Sequence, residues 1–147
     1  MDRQPVVVTP ENYARTLNVV GTRITVLASR KVTQGIEITL QEGEDGSGPP
    51  PHSHKWDEAF FVLRGSVEFI CAGDVVMAGE GTLVHVPGGI VHSFRYGKDG
   101  GQILEIAGHG ASATDLFATI DRDVPAGPPD IGKILEIFQK NGVTPGF

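Results

Sequence analysis

The sequence predicts an all-β domain, a closed barrel or two-sheet jelly roll that ends in one or two helices. Three observations predict it. Twenty glycines and ten prolines are spread through 147 residues, which leaves few uninterrupted stretches long enough for a helix. The stretches between them have strand length and alternate or run apolar. At least eight of them recur at near-regular spacing, the arrangement of a sheet that closes on itself or folds into two layers. With 39% hydrophobic residues the chain can build one well-packed core and is too short for two ordinary ones. It reads as a single domain over 1–147, with a barrel core over about 19–108 and a helical tail over about 112–141.

The elements follow in order. The early segment QPVVVTP could add a strand to a neighbour's sheet or pair within its own chain. The candidate strands are RITVLAS from Arg23, GIEITLQ from Gly35, DEAFFVLR from Asp57, SVEFICA from Ser66, DVVMA from Asp74, TLVHVP from Thr82, HSFRY from His92 and QILEIAG from Gln102. Turns fall at EGEDGSG, LRGS, AGE and GKDGG. The last of these carries residues that tolerate positive φ and predicts a hairpin between Phe94 and Ile103. Glu37, Glu68 and Glu105 read as solvent-face or edge charges that discourage sheet-to-sheet association. Near the C-terminus the period changes. Ile131, Ile134, Leu135 and Phe138 fall on one helical face, with Asp130 as cap and Gly142 as stop. A shorter helix is expected in SATDLFATI, where Ser112 and Asp115 have capping-box spacing.

Composition excludes several functions. A net charge of −6, with twelve scattered Lys and Arg residues, argues against a nucleic-acid partner or a basic membrane-binding face. The N-terminus has an acid at position 2 and no long apolar core, so neither export nor membrane insertion is expected and the location reads as cytoplasmic. The single cysteine, Cys71, reads as a small apolar side chain rather than a reactive thiol.

The chemistry concentrates in GSGPPPHSHKWDEAFFVLRG, Gly46 to Gly65. On an extended strand His52, His54 and Glu58 share parity and therefore one face. Pro49 to Pro51 fix the backbone that leads into them. A second segment, GTLVHVPGGIVHSF, supplies His92 just after a Pro87-Gly88-Gly89 turn. If the two segments close side by side, three imidazoles and one carboxylate converge. That donor set suits a divalent transition metal (Fe, Mn, Ni, Cu, Co or Zn) and leaves coordination positions open. His85 and His109 stand outside the pattern and read as ordinary polar residues.

From Gly46 the spacing is glycine, five residues, His52, one, His54, three, Glu58, six, Gly65. It resembles the first motif of the cupin family. From Gly81 it is glycine, five residues, Pro87, one, Gly89, two, His92, which resembles the second. Fifteen residues separate the two, as in compact cupins. Tyr96 stands where the second motif often ends in Asn. The resemblance implies a cupin double-stranded β-helix, with His52, His54, Glu58 and His92 as metal ligands. The surrounding sequence is similar to single-domain bacterial cupins of the quercetin-dioxygenase-like type, and dimers are common in the family.

That resemblance implies a metal-dependent dioxygenase acting on an aromatic or enolisable small molecule. Glu58 then has a second, catalytic role as proton acceptor. Phe60, Val62 and Phe94 share the inward parity and are expected to wall the substrate pocket, or simply to fill the barrel. Trp56 and Phe61 read as packing or intersubunit residues, and Arg64 and Arg95 as solvated strand-end charges. Two other readings keep the same ligands: a metal-dependent isomerase or lyase, and a non-catalytic small-molecule binder. A homodimer is the expected assembly.

Overall fold

The computed structural model describes residues 2–146. Nine strands form one curled antiparallel sheet: β1 (Leu17–Val19), β2 (Thr22–Ala28), β3 (Glu37–Gly43), β4 (His52–Ser53), β5 (Glu58–Cys71), β6 (Asp74–Ala78), β7 (Leu83–Val86), β8 (His92–Ala107) and β9 (Thr144–Pro145). A short helix, α1 (Arg30–Thr33), links β2 to β3, while α2 (Ala113–Asp123) and α3 (Ile131–Lys140) follow the barrel. The path runs β1-β2-β3-β8-β4-β9, and β5 pairs with β8 while carrying β6 and β7. This is the all-β jelly roll with C-terminal helices that the sequence predicts. Among the described residues no helix is long and apolar enough to cross a membrane.

Two predicted turns are not turns. DEAFFVLR and SVEFICA form one strand, β5, and HSFRY and QILEIAG form one strand, β8. The two pair along their whole length, from Glu58 opposite Ala107 to Cys71 opposite His92. The register shifts between Gly65 and Val67, so the glycines bend the ladder instead of reversing it. Gly65 has φ +75°, and a Cβ there would stand 2.2 Å from the Gly100 carbonyl oxygen. The bend therefore requires glycine for both dihedral and space. Asp99 and Gly100, also at positive φ, form the matching bulge on β8.

The alternation of β3 is inverted relative to its hydrophobicity. Glu37, Thr39 and Gln41 are buried, while Ile38 and Leu40 are only half-buried. On β8, Glu105 lies 3% exposed opposite Thr39. Glu37 and Glu105 are thus interior residues, and the expected solvent-face placement is corrected; Glu68 is half-buried. Glu37 has a structural use. Its carboxylate accepts from the Thr114 amide at 3.0 Å, from the Thr114 hydroxyl and from the Arg30 amide at 3.1 Å. It thereby holds the N-terminus of α2 against the barrel, where a helix favours negative charge. Ser112, the expected cap, makes no side-chain cap bond. For α3 the expectation holds, since Asp130 accepts from the Lys133 amide at 3.1 Å.

Two apolar cores result. Phe60, Val62, Val67, Phe69, Phe94, Tyr96 and Ile103 fill the barrel. Leu116, Ile120, Ile134, Ile137 and Phe138 of the helices pack with Trp56 and Ala107 at one end. The QPVVVTP segment forms no strand; it lies exposed at Val7 and is tethered by a bond from the Arg3 guanidinium to the Thr33 carbonyl.

Candidate metal centre

The two histidine-bearing segments meet at the end of the barrel that the helices cover. His52 on β4 lies opposite His92, the first residue of β8. His54 sits in the short link that follows, and Glu58 opens β5. The Pro87-Gly88-Gly89 turn seats on that link. The Gly89 amide donates to the His54 carbonyl at 2.7 Å, and the Gly88 amide to Asp57 at 2.8 Å. The approach is so close that a Cβ at Gly88 would stand 2.1 Å from the Lys55 carbonyl oxygen.

One atom from each of His52, His54, Glu58 and His92 falls within 4.8 Å of the others. Each imidazole places Nδ1 against a carbonyl oxygen two residues away: His52 to Pro50 at 2.8 Å, His54 to Trp56 at 2.9 Å, His92 to Ile90 at 2.8 Å. A carbonyl only accepts, so Nδ1 carries the proton and Nε2 presents a lone pair in the neutral ring. Metal-binding histidines are oriented in this manner. His54 Nε2 and His92 Nε2 lie 3.2 and 2.9 Å from Glu58 Oε2, so three nitrogen lone pairs and a carboxylate face one another. His54 Nε2 is buried with no hydrogen-bond partner among the described residues. Such a cluster is satisfied by a cation at its centre, and the residues fit a divalent metal of the kind their donor chemistry selects.

The protonation preferences follow from burial and proximity. Burial pushes the Glu58 pKa up, but the close approach of the His54 and His92 imidazoles outweighs it and lowers it to about 2. His52 is lowered to about 4, chiefly by burial and then by the neighbouring His92. His92 is raised: burial opposes this, and the bond to Glu58 and its charge overcome the opposition. The acid is therefore anionic and His52 neutral at neutral pH, the states a metal needs.

Beside the cluster lies a cavity of about 370 Å³. His52, His54 and Glu58 border it, as do Trp56, Phe60 and Phe94. Leu116, Ile120, Ile134 and Phe138 line it from the helices. Val62 does point inward, at 0% exposure, but it packs in the barrel core and does not line the cavity. Trp56, Gln41 and Glu105 are among the lining residues not anticipated as site residues. Trp56 stacks on His54 with ring centres 4.2 Å apart and planes at 4°. Gln41 and Glu105 border the same space; their signal in the sequence was a polar residue alternating with apolar ones in GIEITLQ and QILEIAG, segments that tertiary pairing alone brings together. His85 pairs with Asp57 at the surface, His109 and Arg64 are exposed, and Arg95 lines the cavity though it is itself exposed.

The comparisons agree with this fold. Residues 36–104 match the cupin domain family. Comparison with curated proteins finds no match. Among solved structures, an RmlC-like cupin from Shewanella frigidimarina is similar with TM-score 0.67 and 14% identity, over 78% of this chain and 99% of that one. KdgF from Halomonas sp. gives 0.66 and 15%, over 76% and 98%. The polyketide cyclase RemF from Streptomyces resistomycificus gives 0.59 and 22%, over 71% and 80%. At these identities the likeness establishes the fold.

Proposed function

We propose that the protein is a metal-dependent cupin dioxygenase that takes an aromatic or enolisable small molecule into the cavity beside His52, His54, Glu58 and His92. One observation carries the reading: three oriented imidazole nitrogens and a carboxylate converge at the edge of a largely apolar, helix-covered cavity. The four residues would hold the metal, which when bound supplies a Lewis acid and an open position for oxygen ligands. Phe60 and Phe94 would flank a planar substrate, and the helix residues would keep water from it. Glu58, anionic and 2.9 Å from His92, is the group placed to take a proton from an acidic substrate hydroxyl. Because barrel and helices both line the cavity, we take residues 1–147 as one functional domain, and we propose a cytoplasmic homodimer as its working form.

A second reading, a metal-dependent isomerase, lyase or cyclase using the same ligands, is favoured by the similarity to the polyketide cyclase RemF. Oxygen consumption by the Fe(II), Mn(II), Ni(II) and Cu(II) forms, tested against flavonols, diketones and hydroxy acids, separates the two. Uptake with at least one metal and substrate class is expected. Tight ligand binding without uptake in every form would discard the dioxygenase.

A further inference from the structure

The barrel wall next to the metal centre contains a polar group that packing does not require. Glu105 is buried on β8, between Phe60 of β5 and Thr39 of β3 in the paired strands. An aliphatic residue would suit this interior, and a buried carboxyl costs stability unless its hydrogen bonds are met. Its support is directional. Gln41 Nε2 donates to Thr39 Oγ1 at 3.0 Å, and Thr39 Oγ1 donates to Glu105 Oε1 at 3.1 Å. Both Glu105 and Gln41 border the cavity that His52, His54 and Glu58 border.

Burial, followed by the charge of Glu58, raises the Glu105 pKa well above its ordinary value. The carboxyl then favours its neutral form, which carries an O–H of its own. Thr39 spends its proton on Glu105 Oε1 and Gln41 also lies against the carboxyl, so that O–H is the donor this cluster can offer to a guest in the cavity that Glu105 borders. A second unspent donor lies on the same cavity. Trp56 Nε1–H is buried without a partner among the described residues. Two buried donors on a largely apolar wall fit a guest with oxygen acceptors remote from its metal-binding end.

We propose that Glu105, oriented by Thr39 and Gln41, is a specificity-determining residue that hydrogen-bonds a second oxygen function of the ligand whose first oxygen binds at the metal centre. This rests on the metal-dependent reading above and narrows it to small, largely planar molecules oxygenated at two separated positions. A site that spends a buried hydrogen bond on a substrate oxygen discriminates against analogues that lack it.

The test is calorimetric binding to the zinc-loaded protein of two matched pairs, kojic acid against allomaltol and kaempferol against galangin. Within each pair the metal-binding group is the same and one hydroxyl differs. The hydroxylated member of at least one pair is expected to bind about tenfold tighter, the worth of one buried hydrogen bond. Glu105→Gln should keep that preference. Glu105→Leu should erase it while leaving zinc affinity and the affinity for the less oxygenated partner unchanged. Should Glu105→Leu fail to fold, Thr39→Val, which frees the carboxyl, should shrink the preference. No preference in the wild type, or a preference that survives loss of Glu105, overturns the assignment alone. Failure of the wild type to bind zinc overturns the metal centre and this assignment together.

Discussion

His52 and His92 stand directly opposite each other across the β4–β8 pair, with their ring centres 4.4 Å apart. Strand β4 has only two residues and is flanked on its other side by β9, where His52 lies opposite Pro145. The Gly146 amide also donates to the Pro51 carbonyl at 2.8 Å. His52, Glu58 and His92 thus come from strand starts that long-range pairing fixes in place.

Metal binding should be visible from Trp56, the only tryptophan in the chain. Its ring lies flat on His54, so Cu(II) or Ni(II) at the cluster should quench its emission and saturate at one equivalent. His52→Ala and His92→Ala should weaken the titration by at least the ~10–100-fold that loss of even an outer partner costs a metal site. Unquenched emission at saturating metal would refute the site.

Gly88→Ala should destabilise the fold by roughly 1–3 kcal/mol, the ordinary cost of overpacking. The new methyl group would press on the Lys55 carbonyl in the link that carries His54, so metal affinity should fall with stability. Gly79→Ala, where a Cβ meets nothing within 4 Å, is the matched control and should change neither. Urea titrations and metal titrations of the two variants make the comparison.

Glu105 predicts a pH dependence for the metal-free protein. Its folded pKa is raised from an ordinary 4.5, so above that pH the unfolded chain releases a proton that the native state keeps. The native state then binds more protons, and this residue's effect on stability becomes increasingly unfavourable as pH rises through 4.5. Glu105→Gln has no such proton to keep. The variant should be more stable than the wild type at neutral pH, and the gap should close in acid below the ordinary carboxyl pKa. Paired chemical denaturation across that range checks the sign.

Phe138 is 6% exposed, and its ring centre lies 6.1 Å from that of His52. Phe138→Ala should cost roughly 3–5 kcal/mol and enlarge the cavity on the helix side. A lowered midpoint in thermal unfolding, together with increased binding of an apolar dye, is the expected pair of results.

Much of this was legible in the chain itself. The spacing of His52, His54, Glu58 and His92 marked four groups that the fold does gather, and β6 spans the same residues as DVVMA. What hid was whatever depends on pairing between distant strands. Gly65 and the Lys98-Asp99-Gly100 run read as turns because turn residues and bulge residues share the same dihedral freedom. Glu37 and Glu105 read as solvent-facing because a carboxylate's default is water. Alternation gives two faces to a strand without naming the inner one, and on β3 the polar set is the buried set. Trp56 declared bulk, and only the folded link revealed its partner.

The cavity draws the groups for chemistry from the barrel and much of its ceiling from α2 and α3, which lie beyond residues 36–104 that match the cupin domain. The candidate metal ligands and much of the cavity ceiling are consequently housed in separable stretches of chain. Replacing the tail could retune which molecule is admitted while the reacting groups stay where they are.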